Sequence, residues 1–202
     1  RCGEYPYSSI GDIMILKTFD FSGFYEHIEQ IFSMYFSIKQ TQNLMEFVKI
    51  LADANFRCYK ANMMVIQGRK EDPDNHRLFA DMEWVARSVG EYRVASKARI
   101  NQYISKVKST RAVVEPKEWM SDDIVYSIGE MIDRLSIETI KIGDFIQNNR
   151  PKHTIDSVEK LRGRVEKYLI QKLEEIRIKG FYECVHEQRT YDLEGIVKDL
   201  AI

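Results

Sequence analysis

The sequence predicts an all-α protein, a bundle of five to seven helices in a single domain over residues 1–202. Three observations predict it. Apolar residues recur at three- and four-residue steps over long stretches, the period of helices that lay one face on a core. Glycine and proline are scarce, 10 and 4 in 202 residues, so few breakers interrupt those stretches. The hydrophobic content of 44% and charged content of 30% are those of an ordinary globular chain long enough to bury a core.

Residues 1–22 hold Gly3, Pro6, Ser8, Ser9 and Gly11 and read as a short irregular segment, within which Ile13–Leu16 fits a strand or one helical turn equally. From Gly23 the pattern turns helical through Phe24, Ile28, Ile31, Phe32, Tyr35 and Ile38. A second helix is predicted over about 41–66 by Leu44, Phe47, Val48, Leu51, Ala52 and Tyr59. The polar run Gly68–Asn75, with Pro73 inside it, reads as a loop. A long helix follows at 77–107, with Met82, Val85, Val89, Tyr92, Ile100, Tyr103 and Val107 on one stripe and Ser96 as a small residue that admits a close neighbour. Pro116 breaks the period within 109–119, the candidate hinge.

Ser121, with Asp122 and Asp123 behind it, reads as the start of a helix over 122–147, because carboxylates there complement the helix dipole. Its main stripe is Ile124, Ile128, Met131, Ile132, Leu135, Ile142 and Ile146, while Ile137 and Ile140 fall on the opposite side. A helix apolar on two sides is covered on two sides, so this one is expected at the centre of the bundle. Asn148, Asn149 and Pro151 end it. A further helix is predicted at 155–186, with Gly180 as a kink or interruption, and a short tail helix at 192–201. GFYEHIEQ at 23–30 and GFYECVHEQ at 180–188 echo one another, so the halves 23–108 and 120–202 are candidates for a duplication.

Thirty basic against 31 acidic residues, net charge −1, argue against a dedicated nucleic-acid binder. No apolar run reaches the roughly 18–20 residues of a membrane span, so no membrane partner is expected. Cys2, Cys58 and Cys184 are odd in number and lack metal-site spacing, which favours reduced thiols and a cytoplasmic location. The chain opens at Arg1 with no charged segment leading into an apolar one, so no retained signal peptide is expected.

Few residues carry chemistry. Glu183-x-x-His186 has the spacing of carboxylate-bridged di-metal bundles but lacks the second such pair those sites need. Glu26-x-x-Glu29 and Glu130-x-x-Asp133 place carboxylates one turn apart, as a shared Mg²⁺ requires, although Arg134 one turn beyond Glu130 offers an ion pair instead. Basic residues crowd 87–117, among them Arg87, Arg93 and Lys97. They offer phosphate contacts, or simply a solvated helix face. Phosphate-cradling loops and nucleophile elbows are absent from the sequence. The density of Phe19, Phe21, Phe24, Tyr25, Phe32, Tyr35 and Phe36 fits core packing and also an aromatic anchor for a partner.

Ser127–Ile142 (SIGEMIDRLSIETIKI) is similar to the "SVGELIDKLTIxxIK" segment of an uncharacterised helical family of bacterial and phage proteins. Ala86–Asn101 resembles that family's "ARxVYxxNDxRAxxKRxIN" block, and Asn55–Tyr59 its "NFxLW" helix. Together these cover about 40 residues of the chain. Ala61 and Asn62 stand where the family has an acidic pair, and the Gly129–Lys141 block comes late, so the block order is permuted. The resemblance implies a helical fold and a loose gene-neighbourhood link to glycosyltransferases and surface glycans, with no established reaction.

The leading functional expectation is a non-catalytic helical interaction or assembly protein, a homo-oligomer with no cofactor, whose interface includes Phe24, Phe32 and Phe36. The alternative is a Mg²⁺-dependent enzyme acting on a nucleotide or nucleotide-sugar. In it Glu130 and Asp133 hold the metal, and Arg87, Arg93, Lys97 and Lys141 face phosphate.

Overall fold

The computed structural model describes residues 18–108, 127–180 and 182. Among them every regular element is a helix: α1 (Ser22–Ser33), α2 (Ile38–Glu71), α3 (His76–Lys108), α4 (Ile128–Gln147) and α5 (Lys152–Lys179). The hinge 109–119, most of the segment 1–22, Ser121, Glu183, His186 and the tail helix lie outside the described residues, as does all but the start of the second echo segment.

Each boundary has a local cause. Ser37 and Gln40 form a capping box at the start of α2, the serine hydroxyl accepting from Gln40 N and the Gln40 side chain from Ser37 N. The helix then runs past the expected loop start to Glu71. Gly68, read as a breaker, is buried inside it. A Cβ there would come within 3.0 Å of Leu78 and 3.3 Å of Phe79, so the glycine serves close packing of α2 on α3. The turn is confined to 72–75, and Asn75 Oδ1 accepts from Leu78 N at 3.1 Å to start α3.

Helix α4 begins at a second capping box, Ser127 with Glu130, rather than at Ser121. Gly180 ends α5 in the left-handed region at φ 80°, so it is a C-terminal stop and not a kink. The stop comes several residues before the expected end at 186.

Helix α4 lies at the centre, packed against α2, α3 and α5. Ile128, Met131, Ile132, Leu135 and Ile142 are buried on its main stripe, Ile140 is fully buried and Ile137 half-buried. Ile146 departs from the expectation at 57% exposed, because α4 is by then in its last turn before the Asn148–Arg150 bend. Ser96 is buried, and where α3 crosses α4 a Cβ on Gly129 would lie 2.5 Å from Lys97 O. Small residues thus bring these two backbones together.

The aromatic run closes the molecule from within. Phe24, Phe32 and Phe36 are 8%, 0% and 7% exposed and belong to the central core. Phe21 stacks on Tyr25 at 5.5 Å, and Phe32 meets Phe36 edge-on at 5.9 Å. The expectation that Phe24, Phe32 and Phe36 form an interface is corrected here. Their rings are consumed by α1's packing on the rest of the bundle and leave no surface for a partner.

Helices α2 and α3 make the longest pairing. The main core claims only their proximal parts, through Ala52 on α2 and from Ile100 on α3. The outer hairpin has its own small set of buried residues, Ala61, Met63, Gly68 and Phe79. None of the described helices is long and apolar enough to cross a membrane.

Candidate functional site

The densest polar constellation sits where α2, α3 and α4 meet. Arg93 of α3 grips Asp133 of α4 with two hydrogen bonds, Nε to Oδ1 and Nη2 to Oδ2, both 2.7 Å. Lys97, one turn on, places Nζ 4.0 Å from Asp133 Oδ2. From α2, Asn55 Nδ2 donates to Asp133 Oδ1 at 3.0 Å and to Ser136 Oγ at 2.6 Å. Ser136 Oγ in turn donates to Asp133 O at 2.9 Å. The guanidinium matches the carboxylate in planar, two-pronged geometry, which gives direction as well as charge neutralisation.

Burial sets the electrostatics. The Asp133 side chain is nearly closed off from solvent while Arg93 keeps partial access to it. The Asp133 hydrogen bonds push the Arg93 guanidinium above its usual range, so it stays charged throughout the ordinary pH scale. Cys58 lies beside the cluster, Sγ 3.7 Å from Ala86 O, and burial raises its thiol despite the opposing charge of Arg93. A thiol held protonated is a poor nucleophile.

Two further polar locks flank the junction. Near the end of α4, Asp144 accepts from Tyr59 Oη at 2.9 Å and from Asn148 Nδ2 at 3.1 Å. Burial nonetheless raises its carboxyl above the usual range. At the start of α4, Asn101 Oδ1 accepts from Gly129 N at 2.8 Å, and Tyr182 Oη accepts from Ile128 N at 3.0 Å. These side chains satisfy backbone donors that a helix start leaves without partners.

Against this geometry the sequence-nominated residues separate. Glu130 Oε2 accepts from Ser127 N at 2.9 Å, so this carboxylate is a cap. Asp133 is the counter-ion of Arg93. The pair therefore does not face a shared ion, because each carboxylate is engaged by a different protein group. Among the described residues no group of three His, Cys, Asp or Glu side chains converges as a metal cage would require. Glu26 and Glu29 are exposed on α1.

The four expected phosphate contacts do not assemble either. Arg87 is exposed on the outer hairpin, and Arg93 and Lys97 point to Asp133. Lys141 lies 3.2 Å from the buried carboxylate of Glu138, which also meets Arg134 at 3.3 Å. Of the expected set, the structure brings together Arg93, Lys97 and Asp133. The partners that sequence reasoning missed are Asn55 and Ser136, whose only sequence signal is their position on the inner faces of α2 and α4.

Such a junction holds three helices in one register through the Arg93, Asp133, Asn55 and Ser136 contacts, while Asn55 Oδ1 is buried with no hydrogen-bond partner among the described residues. No protein-family model matches the chain, and no curated protein or solved structure matches it significantly.

Proposed function

We propose that this chain is a non-catalytic helical assembly protein that self-associates through the outer half of the α2–α3 hairpin. The observation that carries the reading is apolar surface left on that arm. Trp84 is 69% and Tyr92 43% exposed, while Met82, Val85 and Val89 on α3 and Met64, Val65 and Ile66 on α2 are only half-buried. Beyond Tyr59 helix α2 continues for 12 residues, about 18 Å at helical rise. Two antiparallel helices alone leave both flanks of their seam in water. Two such hairpins laid together bury those flanks as a four-helix bundle, with the two-fold symmetry commonest among homo-oligomers.

Exposed tryptophan and tyrosine among arginines is the composition of an interface centre. The polar junction supports the same reading, since it fixes the angle at which the arm leaves the core. The reading takes the protein as cytoplasmic, supported by cysteine usage without disulfide spacing. Light scattering on the eluting full chain tests it: the mass rises toward twice the monomer value with concentration, and Trp84→Glu holds it at the monomer value. A monomer at all concentrations refutes self-association.

A further inference from the structure

Helix α5 distributes its charge unevenly. Toward its end Lys172, Arg177 and Lys179 each meet a glutamate one turn away on the same helix. In its middle Lys160, Arg164 and Lys167 are exposed, and none has an acidic partner among the described residues. By helical geometry Lys160, Lys167, Tyr168 and Gln171 fall within about 60° of Arg164 around the axis, and between 157 and 171 that arc contains no acid. The overall balance of 30 basic against 31 acidic residues conceals this local excess.

Gly163 completes the surface. It is exposed, and a Cβ on it would meet nothing within 4 Å, so no packing contact requires a glycine there. It nonetheless costs helix stability relative to alanine. Lys160 is three residues before it and Lys167 four after, so both are its neighbours on the helix surface. The missing side chain between two cations leaves a shelf on which an anion comes close to the backbone.

We propose that this face of α5 binds single-stranded nucleic acid without sequence preference. Phosphates lie along Lys160, Arg164 and Lys167 over the Gly163 shelf, and a base stacks on Tyr168, 39% exposed and one turn from Arg164. The three cations span about 10 Å of helix, the length over which a strand presents about three phosphates. A membrane surface is disfavoured, because Val165 and Leu169 pack toward the core and leave nothing apolar here to insert. Glu159, exposed on the flank of the shelf, opposes the phosphates and keeps the affinity modest. The proposal does not depend on self-association.

The test is fluorescence anisotropy of a short labelled oligothymidylate titrated with the full chain at a series of salt concentrations. The expected result is saturable binding with a log–log salt slope of about −2, from three phosphate contacts at about 0.7 each. Lys160→Gln, Arg164→Gln and Lys167→Gln each weaken binding and flatten the slope by about 0.7. Tyr168→Ala weakens it about fivefold or more with the slope unchanged. Glu159→Gln tightens it. Gly163→Gln weakens it while raising the melting temperature, an opposition that a purely structural glycine does not produce. None of these side chains belongs to the core, and unchanged or higher melting temperatures verify the fold. Absence of saturable binding at low salt, or a slope untouched by the three cation variants, overturns the proposal. So does inorganic polyphosphate competing as well as the oligonucleotide while Tyr168→Ala binds normally, which assigns the face to polyanions in general.

Discussion

Asp133 and Asp144 are both buried acids on α4, yet they contribute differently. Asp133 is neutralised by a guanidinium in two-pronged contact, whereas Asp144 takes hydrogen bonds from Tyr59 and Asn148 and feels the charge of Arg150. Replacing Asp133 by Asn leaves Arg93 part-buried without its counter-charge. Fully buried pairs cost about 3–5 kcal/mol when broken this way, and the solvent access of Arg93 reduces the expected loss to about 2 kcal/mol. Urea denaturation measures it, and the double variant Arg93→Met with Asp133→Leu is expected to recover most of the loss.

For Asp144 the sign reverses. Burial raises its folded pKa above the unfolded value, so the neutral acid is favoured in the native state. Its contribution is greatest below the unfolded pKa and declines as pH climbs toward the folded one. Asp144→Asn removes the ionisation and keeps an acceptor for Tyr59, while Asn148 Nδ2 retains its bond to the residue 144 carbonyl. Thermal melts are therefore expected to show equal or higher stability than wild type at neutral pH. They should also show a flatter dependence on pH across the range just above the ordinary carboxylate value. A neutral-pH melting temperature lowered by several degrees contradicts this account.

At the scale of the helix, glycine position decides the sign of an alanine substitution. Gly163 of α5 is exposed, with nothing within 4 Å of its added Cβ, so Gly163→Ala is expected to stabilise by about 0.5–1 kcal/mol through helix propensity. Gly129 of α4 faces Lys97 O at 2.5 Å, and Gly129→Ala is expected to cost about 1–3 kcal/mol as α3 is pushed away. Chemical denaturation of the two variants side by side checks both signs.

Much of this scale was legible beforehand. The periods of α2, α3, α4 and α5 come from runs long enough to decide, and Ser96 on the α3 stripe marks the close crossing. Ser121 with its two aspartates draws the expected start of α4 too early, although the pattern Ser127-x-x-Glu130 carries the capping signal. Gly68 reads as a breaker but lies inside α2, because a glycine that breaks a helix and one that lets two helices touch look alike without the partner. The Arg93–Asp133 contact spans 40 residues, and no local pattern reports it. Phe24, Phe32 and Phe36 show the same limit: an aromatic stripe states that it is covered but not by which surface.

Across the whole molecule, one core gathers α1, α4, α5 and the proximal parts of α2 and α3, while the distal hairpin extends away from it. The polar junction stands at the root of that arm. Weakening it through Asp133→Asn is expected to weaken association as well as stability, because an arm with a loose root loses more entropy on docking. Dilution series of this variant followed by light scattering measure the effect. Association unchanged despite the lost stability separates the junction from the interface.

The most direct measurement is hydrogen–deuterium exchange of the full chain at low and high protein concentration. Amides in residues 60–92 are expected to gain protection as concentration rises, with those of α1 and α5 unchanged. Concentration-independent exchange along the arm, or a gain confined to α5, contradicts the assignment of the hairpin as the association surface.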